Sequence, residues 1–299
     1  MTGFSADWLR LREPFDHAAR QTAAGATALL ERIGRWRERA PGRAFAVVDL
    51  ACGHGANMRA LAPLLGGAQH WRLVDHDPAL LAAVPEALAA WARRHNYRLT
   101  VEDRAGEVEP INIIGPNFHA KVERQRVDLA IDLPRLDFSE ATLVTASALL
   151  DLVSASWLQT LICKAKATRV AMLFALNVDG PITWDPGDPA DEHVHALFSR
   201  HQNRDKGFGP ALGSQAVAIA LHRMASAGYQ TQQTRTDWLI DGAQAPEMQL
   251  AMVQGMAVAA LEQDPTTRDA VQSWKARRGA SIGVSRLRVG HVDIVATPT

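Results

Sequence analysis

The stretch AVVDLACGHGANMRAL, residues 46–61, ends an apolar run on Asp49 and sets Gly53-His54-Gly55 close behind it. Residues 44–50 show no polar alternation before that acid, the pattern of a strand covered on both faces, as in a parallel sheet. Gly53 and Gly55 give the backbone freedom for a tight turn and keep side chains away from anything that approaches the main chain. Behind them Met58, Leu61, Leu64 and Leu65 recur at helical spacing. The reading is a strand, a glycine turn and a helix. Such a unit presents unpaired helix N-terminal N–H groups beside a cleft at the carboxyl end of a strand.

Composition bounds what can be built around that turn. The chain has 299 residues, 47% of them hydrophobic, enough for a real core in one large domain or two. Its 32 Lys and Arg balance 32 Asp and Glu, so no nucleic-acid or anionic-membrane partner is expected. Cys52 and Cys163 make neither a disulfide framework nor a zinc pattern. The opening MTGFSADWLRLREPFD is charged and broken by Pro14, without the apolar core of a signal peptide. The Ala/Leu-rich stretch after Pro78 is interrupted by Pro85 and Glu86, so no membrane span is expected. A cytoplasmic protein is the expectation.

Along the chain, helical spacing covers residues 17–39, a second strand closes on Asp75 in HWRLVD, and an amphipathic helix runs to about Asn96. Three short candidates, LTVED, INIIG and RVDLAI, compete for places in the sheet. ATLVTAS and TRVAMLFAL are apolar strands separated by a helix over 148–163. Residues 213–228 read as a helix, YQTQQTRTDW and RLRVGHVDIVA as the last two strands, with helices at 246–263 and 266–278 between them. The alternation predicts an α/β fold: an open, doubly wound, mostly parallel seven-stranded sheet with helices on both faces. An extra N-terminal helix and the two inserted helices complete it. The expected division is an N-terminal helical segment, 1–42, and one ligand-binding domain, 43–299, with a lid loop at 199–213 and a helical insertion at 244–279.

A dinucleotide fingerprint G-x-G-x-x-G fails, because Met58 stands at the third glycine. Asp49-Leu50-Ala51-Cys52-Gly53-His54-Gly55 instead resembles motif I of the class I S-adenosylmethionine-dependent methyltransferases. Asp75 in LVDHDPALL resembles the acid that ends that family's second strand and holds both ribose hydroxyls. A carboxylate suits that task as a pure acceptor with two oxygens. The resemblance spans roughly residues 44–176 and returns in the last two strands. It implies a Rossmann-like methyltransferase fold and S-adenosyl-L-methionine as cofactor. The implied cofactor site comprises Asp49, Ala51, Cys52, Gly53 and Gly55, then Asp75 and His76, with Ser147 after the fourth strand. The acid for the adenine amino group has three candidates, Asp103, Asp128 and Asp132. A side chain added at Gly55 is expected to point into the cleft. The two helices between the last strands exceed the family's minimal hairpin there, and are expected either to cover the acceptor site or to mediate homodimer contacts.

Two further stretches carry chemistry. In TASALLDLVSASW, Ser147, Asp151 and Ser154 are spaced four and three apart and share one face of the expected helix, where Asp151 could orient an acceptor N–H or O–H. The alternative is an N-capping Ser147 with a solvent-facing Asp151. HQNRDKGFGPALG, 201–213, has the make-up of a lid over the acceptor or of a surface loop capping the next helix. Balanced charge and a polar lid favour a small hydrogen-bonding metabolite as acceptor. Methyl transfer from a sulfonium is an in-line displacement in which alignment supplies much of the acceleration. If the nucleophile must lose a proton, His201 is the first candidate base, with Asp151 and Asp205 next and Lys206 beside them in the loop. His193, His195, His201 and Asp191 lack the spacing of a metal site, so none is expected. The competing readings are a nicotinamide-dependent oxidoreductase of Rossmann type and a non-catalytic S-adenosylmethionine-binding protein.

Overall fold

The computed structural model describes residues 5–21, 44–101 and 110–299. Helix α1 (Ala6–Arg20) precedes β1 (Phe45–Leu50), which runs into the glycine turn and α2 (Ala56–Leu65). β2 (Gly67–Asp75) and α3 (Pro78–His95) follow, the helix N-capped by Asp77, which accepts from the Ala79 N–H. Then come β3 (Arg98–Val101), β4 (Ile111–Ile114), β5 (Phe118–Arg126), the one-turn α4 (Leu129–Asp132), β6 (Leu143–Ser147), α5 (Ala155–Thr168) and β7 (Ala171–Asp185). The chain ends with α6 (Asp191–Gln202), α7 (Ala216–Ser226), β8 (Tyr229–Arg235), β9 (Trp238–Asp241), α8 (Pro246–Gln263), α9 (Arg268–Ser281) and β10 (Arg286–Pro298).

Among the described residues ten strands form one sheet in the order β3-β4-β5-β2-β1-β6-β7-β10-β8, with β9 beside β10, rather than the seven expected. β5, β2, β1, β6 and β7 pair in parallel. β10 runs antiparallel between β7 and β8, and β3 and β4 extend the far edge antiparallel. The chain leaves β1 on one side through β2 and resumes on the other through β6, so the strand order reverses between β1 and β6. Open α/β sheets bind ligands at that switch point, outside the carboxyl ends of the strands. The glycine turn stands there.

Val47 and Val48 of β1 face opposite sides, as the pleat requires, and each joins a different core. Val48 meets α5 and α7 through residues such as Leu161 and Met224; Val47 meets α2 and α3 through Leu61 and Leu88. A third core gathers Ala19 of α1, Leu197 of α6, Val253 of α8 and Trp274 of α9 with Trp238 and Val289. No helix among the described residues is long and apolar enough to cross a membrane.

Several elements depart from expectation. RVDLAI is no strand: the Val127 N–H donates to the Asp75 carbonyl at 2.9 Å, and Asp128 at once N-caps α4. The helix after β6 starts at Ala155, not 148, because the Ser154 hydroxyl accepts from the Trp157 N–H as its N-cap. Ser147, Asp151 and Ser154 therefore do not share a helix face. YQTQQTRTDW divides at Thr236, whose hydroxyl donates to Asp293 Oδ1 at 2.8 Å, leaving Trp238 to open β9. α1 ends at Arg20 with Gln21 as its C-cap, so of the helix placed at 17–39 only residues 17–20 fall in it, and the remainder lies in 22–43, outside the described residues. Pro14 sits within α1, where its own position and that of Arg10, whose carbonyl loses a helical donor, are both exposed, so the loss falls on the solvent side of the helix.

Candidate active site

Asp49, fully buried near the end of β1, lies in register with Thr145 of β6, across the switch point. Asn57, in the first turn of α2, donates to Asp49 Oδ1 at 2.7 Å and to Thr145 Oγ at 3.1 Å, joining the two strands. Asp49 Oδ2 has no partner among the described residues. Burial, opposed by the Asn57 hydrogen bond and the Arg20 charge, pushes the Asp49 carboxyl up to about 7. Gly53 and Gly55 take φ of +56° and +86°, left-handed values that explain why glycine stands at both. Three non-glycine residues are left-handed around the switch point: Ala51 just after β1, Ala148 just after β6, and Leu176 inside β7, one residue past its last pair with β6. Each carries roughly 1–3 kcal/mol of strain, of the kind proteins hold at functional sites.

Asp75 ties the second strand to the turn. Its Oδ2 accepts from the Gly53 N–H at 2.8 Å and its Oδ1 from the Asp77 N–H at 3.0 Å, with His76 Nδ1 at 3.3 Å from Oδ1. Each oxygen retains a further acceptor site, so the pair can still receive two hydroxyls. Of the candidate adenine acids, Asp128 follows directly on the Val127–Asp75 hydrogen bond, Asp132 pairs with Arg135 at 3.3 Å, and Asp103 lies outside the described residues.

A cavity of about 60 Å³ lies over the turn, bounded by Ala51, Cys52, Gly53 and Ser147 below and by Leu9, Arg12 and Arg20 of α1 above. A Cβ at Gly55 would meet Leu73 at 3.5 Å and Arg59 at 3.6 Å, so it points toward the interior instead of the cleft as expected. A Cβ at Gly53 would meet Leu9 of α1 at 3.2 Å. α1 is held down by charge. Arg59 binds Glu13 through Nε and Nη2 at 2.9 and 2.7 Å, and its Nη1 donates to the His54 carbonyl at 2.7 Å. Arg59 also donates to His54 Nδ1 at 3.1 Å; burial and that guanidinium hold the imidazole below its usual pKa. Arg20 donates to Asn57 Oδ1 at 2.8 Å. Arg12 binds Asp16 at 3.0 and 3.2 Å, and Trp238 Nε1 donates to the same Asp16 at 3.0 Å. Sequence reasoning passed over Arg12, Asp16, Arg20 and Asn57. The signal was present: Arg12, Asp16 and Arg20 stand four apart, an ionic stripe along one helix face.

Asp151 lies in the turn between β6 and α5, buried, with Oδ1 unpartnered among the described residues. Burial, opposed by its own backbone N–H and by the Arg12 charge, pushes its carboxyl up to about 6. The solvent-facing alternative does not hold, and the capping serine is Ser154. The 201–213 stretch behaves differently from a free lid. His201 is helical, in the last turn of α6, and its Nε2 lies 2.8 Å from Glu262 Oε2 of α8. The Asp205 carboxylate accepts from the Gly207 and Gly209 N–H groups at 2.6 and 3.0 Å, and Lys206 Nζ donates to the His201 carbonyl at 3.3 Å. None of the three lines the cavity at the turn. The loop's far end is pinned beside Asp151: the Leu212 and Gly213 N–H groups donate to the Val153 and Asp151 carbonyls, each at 2.9 Å. Among the described residues no group of three His, Cys, Asp or Glu could hold a metal ion.

No family model matches the chain, and no curated protein matches it. Solved structures do align with it. An S-adenosylmethionine-dependent methyltransferase from Geobacter sulfurreducens, in complex with S-adenosyl-L-homocysteine, is 12% identical with a TM-score of 0.44, covering 100% of both chains. The YcgJ protein from Bacillus subtilis is 13% identical with a TM-score of 0.45, covering 90% of this chain and 99% of its own. Geranyl diphosphate C-methyltransferase from Streptomyces coelicolor A3(2) is 14% identical with a TM-score of 0.39, covering 91% and 80%. At such scores what those proteins bind does not transfer to this one. The doubly wound α/β architecture stands on this chain's own strand order.

Proposed function

We propose that this protein transfers a methyl group from S-adenosyl-L-methionine to an amine or hydroxyl of a small polar metabolite. One observation carries the reading: two buried carboxylate oxygens, Asp49 Oδ2 and Asp151 Oδ1, have no partner among the described residues and flank the switch point of the sheet. Buried acceptors left unpaired cost about 1–3 kcal/mol each, so their retention favours ligands that pair them. The residues fit the cofactor. Asp49, Ala51, Cys52, Gly53, Gly55 and Ser147 would line its amino-acid end, Asp75 and His76 its ribose, and Asp128 its adenine amino group. The bound cofactor supplies an electrophilic methyl group on a sulfonium.

Asp151 is the base in this reading, in place of His201, whose ring is engaged with Glu262. With a carboxyl pushed to about 6, Asp151 is mostly ionised at pH 7.5, yet basic enough to take a proton from an N–H or O–H donor it also orients. Calorimetric titration with S-adenosyl-L-homocysteine and with NADH separates this reading from the oxidoreductase. Methyl-labelled cofactor offered with a panel of small amines and hydroxy compounds then finds the acceptor. Asp151→Asn should retain S-adenosyl-L-homocysteine binding, lower transfer by about 100-fold or more, and abolish the rise of rate with pH centred at about 6. Binding of NADH alone, or an Asp151→Asn protein with the parental rate, overturns the assignment.

A further inference from the structure

We infer that a second cavity, between α1, the glycine turn and α3, binds an uncharged ligand with two adjacent hydroxyls, such as a sugar, which Glu13, His17 and His54 hold. The inference does not depend on what binds at the turn. The cavity measures about 400 Å³, against about 60 Å³ over the turn, a volume ordinary for small-molecule sites, and His17 and His54 line both. Its polar end is one carboxylate between two imidazoles. Glu13 Oε2 lies 3.9 Å from His54 Nε2, and Glu13 Oε1 lies 3.8 Å from His17 Nε2. Both gaps are too long for a hydrogen bond, and both Nε2 atoms are buried without partners among the described residues. His54 is 4% exposed, so bulk water does not satisfy it.

The hydrogen positions follow from Arg59. A guanidinium only donates, so His54 Nδ1, 3.1 Å from Arg59 Nη2, accepts, and the proton of the neutral ring stands on Nε2. Each Glu13 oxygen takes one Arg59 N–H and retains a further acceptor site. A hydroxyl entering the first gap donates to Glu13 Oε2 and accepts from His54 Nε2. A second hydroxyl on the neighbouring carbon fits between Glu13 Oε1 and His17 Nε2, in either tautomer of His17, because a hydroxyl both donates and accepts. An ammonium has no acceptor to offer His54, and a carboxylate has no donor to offer Glu13. Arg59 already neutralises Glu13, and the lining holds Glu86 as well as Arg94 and Arg10, the last paired with Asp7, so it carries both signs and selects no net charge. α3 supplies an apolar wall: Ala83, Ala87 and Ala90 recur at helical spacing beside Trp91, a surface for the carbon face of a sugar ring.

The probes are phenyl β-D-glucoside and its tetra-O-methyl ether, which keeps the ring and loses every hydroxyl hydrogen, titrated into protein carrying isotope-labelled histidine. The glucoside should shift the ring-nitrogen resonances of His17 and His54, and the ether should bind about 10-fold or more weaker, because the site pairs hydroxyl hydrogens. His54→Leu should weaken the glucoside by a similar factor. Ala90→Trp puts an indole into the cavity from an exposed position on α3, and should abolish glucoside binding while the parental melting temperature is kept. Equal affinity for glucoside and ether overturns the inference. Undiminished glucoside binding by Ala90→Trp overturns it as well, since the sugar then sits elsewhere. A parent protein that does not bind the glucoside overturns it too, and leaves water to fill both gaps.

Discussion

Asp49 occupies a position that a folding chain would fill with an apolar residue if packing alone mattered. Leu50 beside it is fully buried, and Asp49 is buried to the same degree. The folded chain holds the Asp49 proton up to about pH 7, whereas an unfolded chain releases it near 3.8. Ionising it therefore costs stability as pH rises through that window, and above about pH 7 the whole cost is present. Asp49→Asn keeps an acceptor for Asn57 and removes the buried charge. It should stabilise the protein by about 1–3 kcal/mol at pH 8 and by little at pH 4, as denaturant titrations at the two pH values would read. The same substitution should weaken S-adenosyl-L-homocysteine binding, the usual relation between stability and a functional site.

At the scale of elements, the decisive contact is between α1 and the glycine turn. The sequence marks the turn plainly, since an acid and two glycines between a strand and a helix leave few alternatives. It does not say that a helix beginning at Ala6 lies across it. That contact is electrostatic: Glu13 accepts from Nε and Nη2 of Arg59, and the Arg59 side chain is 3% exposed. Glu13→Ala leaves a buried guanidinium with only His54 as partner, and should cost about 2–4 kcal/mol. α1 should then become cleavable by trypsin at Arg10 and Arg12 while the sheet persists. Trypsin resistance equal to the parent's would show that apolar contacts such as Leu9 on Gly53 hold the helix instead.

Across the whole molecule, α8 and α9 do what the sequence left open. They close a third core with α6 and α1, at the antiparallel side of the sheet. Arg278 of α9 is the tie to α6: it binds Asp191 through Nε at 3.0 Å and through Nη2, donates to the Pro186 carbonyl at 2.9 Å, and lies 4.6 Å over the Trp184 ring. Trp274 Nε1 donates to the same Asp191 at 2.8 Å. Arg278→Ala should cost about 2–4 kcal/mol in a denaturant titration, because it removes the charge that pairs Asp191, leaving that carboxylate the Trp274 Nε1 and Asp188 N–H donors alone, and removes a cation–π contact. A loss below about 1 kcal/mol would mean that α9 is held by Val271 and Trp274 packing alone.

The sequence by itself determined the strand, glycine turn and helix, the acid closing the second strand, and the doubly wound alternation. These are local matters, set by side-chain periodicity and by the φ values that only glycine adopts freely, and they are written in consecutive residues. LTVED and INIIG mark β3 and β4, but the sequence did not determine β5, whose charged run FHAKVERQR is a strand because β2 and β4 pair with it, nor the four-residue β9, which β10 pairs. Nor did it determine which polar residues face the cleft. His201, Asp205 and Lys206 read as a reactive loop, yet they engage Glu262, two backbone N–H groups and a carbonyl. Arg20 and Asn57, 37 positions apart, read as ordinary helix residues, yet they meet over the turn. Polar side chains find partners across distances in sequence that no local pattern encodes, so tertiary structure alone decided which of them were left buried with a free hydrogen-bonding atom.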